Sequence, residues 1–194
     1  MLHYKLLRIA ALICIVVGLI GMMPISLIWF SQKASSQPVS ALVVRQPDLT
    51  PTAITGHPMA LDIPSLNIHL AVVDGYYNSS NRLWSLTLNK AQYALPSTAP
   101  NNQSGNTLIY GHYRAEVFAN LHLITLGSSA EITTDNGYKF YYTNTGTEAL
   151  DPTDTSVFQY VGKPRLTIQT CSGSYFQNRQ MFYFKFSSVQ KIST

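Results

Sequence analysis

The sequence predicts a mostly β domain, closed or nearly closed into a barrel, preceded by one N-terminal transmembrane helix. Three observations predict it. Short apolar runs recur through residues 58–191, each bounded by Gly, Pro, Asn or Ser. Two of them flank Asp135, Asn136 and Gly137, a strong hairpin signal. Residues 9–30 contain no charged side chain.

At about 1.5 Å per residue, a helix over 9–30 is about 33 Å long and covers a hydrocarbon core of roughly 30 Å. Lys5 and Arg8 precede it, and Lys33 is the charge that follows most closely. This bias favours a cytosolic segment 1–8 and an extracytoplasmic remainder. A cleaved signal peptide competes, with Ala34, Ser35 and Ser36 as its small-residue site. An h-region usually runs about 7–15 residues, so a retained single-pass anchor is preferred. Residues 31–57 are rich in Ser, Pro, Thr and Gln and read as a spacer holding a domain, 58–194, off the cell membrane.

Within that domain the runs 59–63 and 68–73 are separated by Pro64 and Ser65. Run 107–110 follows a turn-like Asn101-to-Gly105 stretch. Runs 130–134 and 138–143 form the hairpin, and 166–170 and 180–187 complete the set. In the last, Phe182, Phe184 and Phe186 alternate with Tyr183 and Lys185, the period of a strand with one buried face. A short helix is expected over 115–124, with Phe118, Leu121 and either Leu123 or Ile124 as its apolar stripe. Strands at this spacing favour closure, because long open edges invite aggregation.

Composition excludes some functions. The pI of about 9.1 owes part of its basicity to Lys5 and Arg8; all 9 acidic residues lie beyond residue 30. Basic residues form no run and do not interleave with aromatics, so nucleic acid is not an expected partner. Cys and His show no metal-ligand spacing, and Glu116, Asp151 and Asp154 form no acidic cluster. No metal and no cofactor is expected.

Cys171 is the sole cysteine outside the apolar N-terminal run, where Cys14 lies. An unpaired thiol in an oxidising compartment calls for an explanation. It is either a nucleophile or a small buried hydrophobe. His112 stands where a strand ends and a loop begins, Cys171 ends a strand, and Arg179 begins the next. Singly, each has a bland reading: His112 bonding its own loop, Arg179 pairing with a surface carboxylate. Together they meet one chemical need. A thiolate is stabilised by a cationic neighbour, and a guanidinium suits an oxyanion formed on an amide carbonyl.

These residues stand in motifs that resemble the sortases, membrane-anchored cysteine transpeptidases of bacterial surfaces. Sortases carry Thr-Leu-x-Thr-Cys; here Thr167, Ile168, Gln169, Thr170 and Cys171 stand in that order, with Ile for Leu. The family's histidine follows a strand and a glycine, as His112 follows 106–110 and Gly111. Its arginine opens the strand after the cysteine, as Arg179 does. Stretches 61–68 and 150–157 are also similar. The resemblance covers about 58–190 and implies an eight-stranded β-barrel with Cys171, His112 and Arg179 as the catalytic set. Thr170, beside the nucleophile, would shape the pocket or contact substrate. Arg114, two residues past His112, is a competing cation; Arg179 is preferred because it begins a strand beside the cysteine-bearing one.

The resemblance further implies cleavage of a Leu-Pro-x-Thr-Gly-like sorting signal through a thioacyl-enzyme. The partners would be surface proteins bearing that C-terminal signal, with an amine of cell-wall precursor or of a pilin as acceptor. Two rivals remain. One is a non-catalytic barrel used as a peptide-binding module, which would have no need of all three residues. The other is a papain-like hydrolase, which places its cysteine before its histidine at a helix N-terminus; here the order is reversed and the context is β. Residues 95–99, Leu-Pro-Ser-Thr-Ala, look like a sorting signal but lack a hydrophobic tail and read as a loop.

Overall fold

A computed structural model describes residues 52–172 and 177–193, which belong to one compact unit, Pro51–Thr194. The expected anchor at 9–30 and most of the expected spacer lie outside the described residues. Ten strands follow in order: β1 (Pro58–Ile63), β2 (Ile68–Gly75), β3 (Tyr77–Asn78), β4 (Leu83–Trp84), β5 (Ala91–Ala94), β6 (Asn106–Tyr110), β7 (Ser129–Thr134), β8 (Tyr138–Leu150), β9 (Arg165–Ser172) and β10 (Asn178–Lys191). Eight close into a barrel in the order β1-β2-β5-β6-β9-β10-β8-β7, and β3 pairs with β4 as a separate ribbon. This is the mostly β closed barrel that the sequence predicts.

Local chemistry sets the tight connections. Between β1 and β2, Pro64–Leu66 form a 3₁₀ turn, and Asn67 takes φ 51°, a conformation Asn tolerates better than most residues. Between β7 and β8, Gly137 takes φ 78° and its N–H donates to Thr134 O at 3.2 Å. Two pairs are parallel, β2 with β5 and β6 with β9, so each needs a crossover.

Alternation buries one face of the barrel strands. Leu61, Ile63, Ile109, Ile132, Phe140, Leu166, Ile168 and Phe184 are fully buried inside. Phe182 and Phe184 are buried and Lys185 is exposed, as alternation predicts; Met181 is buried too, so the strict period stops near Phe182. Strand β6 is buried along its whole length. Its other face packs into a second cluster of Ala94, Leu108, Tyr110 and Val157, against which Trp84 and Phe158 stack at 5.8 Å.

The structure departs from expectation in three places. The helix over 115–124 is only a 3₁₀ turn, Ala119–Leu123; Phe118 and Leu121 are buried, Leu123 is 59% exposed, and Ile124 packs on the core instead. Strands β8, β9 and β10 run longer than their apolar runs. Residues 54–57, within the expected spacer, are tied to the barrel: Thr55 bridges Asn101, and Gly56 N–H donates to Pro100 O at 3.1 Å.

Candidate active site

The strands that carry the candidate residues are locked together from below. Buried Asn106 opens β6, and its Oδ1 accepts from Thr167 Oγ1 at 2.7 Å and Arg165 Nε at 3.0 Å, both on β9. Its Nδ2 donates to Val157 O at 3.1 Å. Arg165 is held with its guanidinium 3.8 Å from the ring centre of Tyr160 and 4.9 Å from that of Tyr183. This fixes the parallel register Ile109↔Ile168 and Tyr110↔Gln169.

Past the ladder, Gly111 N–H donates to Gln169 O at 3.1 Å, and Thr170 Oγ1 donates to Gly111 O at 3.0 Å. The β6–β9 ladder ends at Tyr110↔Gln169, and Gly111 and His112 follow on one side as Thr170 and Cys171 follow on the other. Gly111 is required for close approach: a Cβ there would lie 2.9 Å from both Val117 and Phe118 side chains. The His112 carbonyl accepts from Arg114 N–H at 3.0 Å and Phe118 N–H at 3.2 Å, which folds the following loop back on itself.

On the other side of β9, antiparallel pairing sets Arg179 directly opposite Cys171. Arg179 Nη1 lies 3.9 Å from Cys171 Sγ, within reach of a donor to sulfur, and 3.3 Å from Asn178 O. Cys171 is half-buried and forms no disulfide. Arg114, the competing cation, reaches Glu116 with its Nε 3.5 Å from Oε2, and both side chains are largely exposed. Thr170 is 3% exposed, and its hydroxyl proton is committed to the residue before His112. The sequence reading has Thr170 shape the pocket or contact substrate; it lines the pocket beside Cys171 and also tethers the two strands.

A pocket of about 380 Å³ adjoins the cysteine, lined by Tyr113, His122, Thr147, Thr170, Cys171, Ser172, Gln180 and Phe182. Among the described residues the lining includes Tyr113 and His122 and not His112. Sequence reading missed His122, Thr147 and Gln180. The available signal was the buried pair Phe118 and Leu121, which fixes the turn and with it the rim position of the residue that follows.

Asp151 and Asp154 serve turns. Asp151 accepts from Thr153 N–H and hydroxyl, and Asp154 from Ser156 N–H; these bonds hold both carboxyls below the usual carboxylate range. Among the described residues no group of three His, Cys, Asp or Glu could hold a metal ion. Residues 95–99 begin in a turn at the end of β5, where Leu95 N–H donates to Gly75 O at 3.0 Å.

Solved sortases share this architecture. The sortase A of Listeria monocytogenes aligns with a TM-score of 0.57 at 20% identity, over 73% of this chain and 93% of that one. Sortase C1 of Streptococcus agalactiae gives 0.56 at 18%, covering 69% of each chain. Sortase C-1 of Actinomyces oris gives 0.55 at 17%, covering 66% and 73%. At these identities the likeness speaks for the fold. No curated protein matches the chain. A sortase-domain family model matches residues 61–185, well over half the chain, and the chain therefore belongs to the sortase family of cysteine transpeptidases.

Proposed function

We propose that this protein is a transpeptidase that cleaves a Leu-Pro-x-Thr-Gly-like sorting signal through a thioacyl-enzyme on Cys171. Its catalytic domain works outside the cytoplasmic membrane, held there by residues 9–30. The observation that carries the reading is the 3.9 Å approach of Arg179 Nη1 to Cys171 Sγ, in a chain of this family.

The Cys171 thiolate attacks the carbonyl carbon after the signal's Thr, and a C–S bond forms. Arg179, a guanidinium that keeps its proton, donates to the oxyanion so created. His112 gives its proton to the departing amine as the C–N bond breaks. An amine of cell-wall precursor or of a pilin then attacks the thioacyl carbon and gives a proton back to His112; the new amide forms and the C–S bond breaks to release the thiolate. Thr170 ties the residue before His112 to the strand that bears Cys171.

Mass spectrometry of the protein with a sorting-signal peptide and hydroxylamine tests this. Wild type should give the peptide hydroxamate; Cys171→Ala should give none while staying folded, since one sulfur is a small loss of packing. An alanine variant that releases product at the wild-type rate removes Cys171 as the nucleophile.

A further inference from the structure

The β3–β4 ribbon and the strap that leads from it to β5 stand outside the barrel, and their two sides are unlike. The inward side holds them in place. Trp84 stacks on Phe158 with ring centres 5.8 Å apart, Tyr110 Oη donates to Ser85 O at 2.9 Å, and Thr87 Oγ1 accepts from Gln92 Nε2. Ser85 N–H donates to Tyr76 O at 2.9 Å and closes the ribbon. The outward side is apolar: Tyr76, Leu83, Leu86 and Leu88 are 47–65% exposed. Single exposed hydrophobes need no explanation, but four within residues 76–88 call for a partner. Thr87 points inward between Leu86 and Leu88, so the strap cannot hide either leucine without giving up its bond to Gln92.

Charge and reach say what covers this side. No acidic residue stands between Asp74 and Glu116, while exposed Arg82 and Lys90 flank the leucines. Asp74 is itself engaged, its Oδ1 2.7 Å from His57 Nε2. Leucine and tyrosine beside arginine and lysine, without a carboxylate, suit an anionic phospholipid interface. Residues 31–51 join the apolar run to the described chain and, at no more than about 3.6 Å each, span at most about 75 Å. That chain enters the barrel at His57, whose partner Asp74 closely precedes Tyr76. A bilayer holding residues 9–30 is therefore always within reach. A weak contact suffices when the second binding event is intramolecular, whereas a second copy or another protein has to be recruited.

Resting on the anchor reading above, we propose that residues 76–90 dock on the anionic phospholipid surface as a second membrane contact. Leu83, Leu86 and Leu88 enter the interface, and Arg82 and Lys90 meet headgroup phosphates. The bond from Tyr110 to Ser85 ties the ribbon to β6, the strand that leads to His112. Docking thus sets the orientation of the candidate site relative to the bilayer.

The test uses the full-length chain with Cys14→Ser and Cys171→Ser, so that one introduced cysteine carries a fluorophore. It is placed at Leu83, at Leu88 or, as control, at exposed Leu126, which leads into β7 across the barrel from β5 and β6. The chain is reconstituted into phosphatidylglycerol vesicles whose lipids carry a nitroxide just below the headgroup. Labels at 83 and 88 should be quenched and the label at 126 should not. Raising salt from about 0.01 M to about 1 M shortens the screening length from about 30 Å to about 3 Å and should release much of the quenching. Leu86→Ser, at an exposed position, should lower the docked-to-free ratio about tenfold, the effect of one leucine left in water. Labels at 83 and 88 no more quenched than the label at 126 overturn the proposal. So does a blue shift at 83 and 88 without lipid quenching, which marks a protein as the occupant. Carbonate extraction judges the anchor separately. A chain that washes off the vesicles ends the anchor reading and this proposal with it; a chain that stays while labels 83 and 88 remain in water ends the docking alone.

Discussion

Arg179 and Cys171 are direct cross-strand partners, with Nη1 3.9 Å from Sγ. The pairing sets both side chains on one face of the β9–β10 ladder, within reach of each other. An oxyanion donor acts mainly on the transition state, so Arg179→Ala should lower kcat more than it raises KM. One such donor is typically worth about 10²–10³ in kcat. Arg179→Lys keeps the charge but not the planar fork and should remain badly impaired. Arg114, engaged with Glu116 on the surface, should lose far less as alanine. Steady-state transpeptidation, with circular dichroism to check folding, separates the two. A dead Arg114→Ala beside a near-normal Arg179→Ala would reverse the assignment.

Asn106 is the brace beneath the site. Asn106→Leu keeps the volume but strands the Thr167 hydroxyl, Arg165 Nε and Val157 O that it bonds inside the protein. Unpartnered buried polar groups cost about 1–3 kcal/mol each, so a loss of about 3 kcal/mol is expected in urea unfolding. For a domain of this size that corresponds to a fall of roughly 6–12 °C in Tm. A Tm within 2 °C of wild type would show that the brace carries no weight.

How much of this was legible in the sequence depended on range. Strands β1, β2, β6, β7 and β9 announce themselves by apolar runs and by turn residues such as Gly137, which are local signals. Strand β5 does not. Its Ala91, Gln92, Tyr93 and Ala94 are all buried, have no alternation, and are strand only through pairing with β2 and β6, partners distant in the chain. The same holds for the far end of β8, where polar residues up to Leu150 are drawn into the ladder by β10. At the site, Cys171 and Arg179 could be named because they stand in the resembling motifs, one ending a strand and the other beginning the next. The bond from Thr170 to Gly111 and the arrival of His122 at the pocket depend on a parallel crossover and a 3₁₀ turn, neither of which leaves a periodic trace.

The reading of residues 9–30 as a retained anchor predicts a topology. Protease added to intact spheroplasts should digest the chain beyond about Lys33, and the domain should stay with the membrane fraction until then. Protection of the domain would reverse the orientation. A soluble form lacking the first 30 residues would mean the apolar run is a cleaved leader.

Tyr142 links the core to alkaline stability. Its ring is buried against Phe186 at 5.9 Å, and burial pushes its phenol well above the ordinary range, opposed only by the hydrogen bond with Thr107. A group whose folded pKa is raised gives stability that is complete below the unfolded pKa, about 10 for tyrosine, and lost as pH rises beyond it. Above that pH the unfolded chain releases this proton and the folded chain keeps it, at up to about 1.4 kcal/mol per pH unit. Tyr142→Phe removes the term along with one hydrogen bond. At pH 7 it should be less stable by about 1 kcal/mol. Between pH 10 and about 11.5 its stability should fall less steeply than that of wild type, so the two curves converge. Tyr93, Tyr110 and Tyr183 are raised by burial as well, so some alkaline slope should survive in the variant. Urea unfolding at pH 7, 10 and 11 measures both effects. Parallel stability curves for the two proteins would mean that the Tyr142 phenol ionises as readily folded as unfolded.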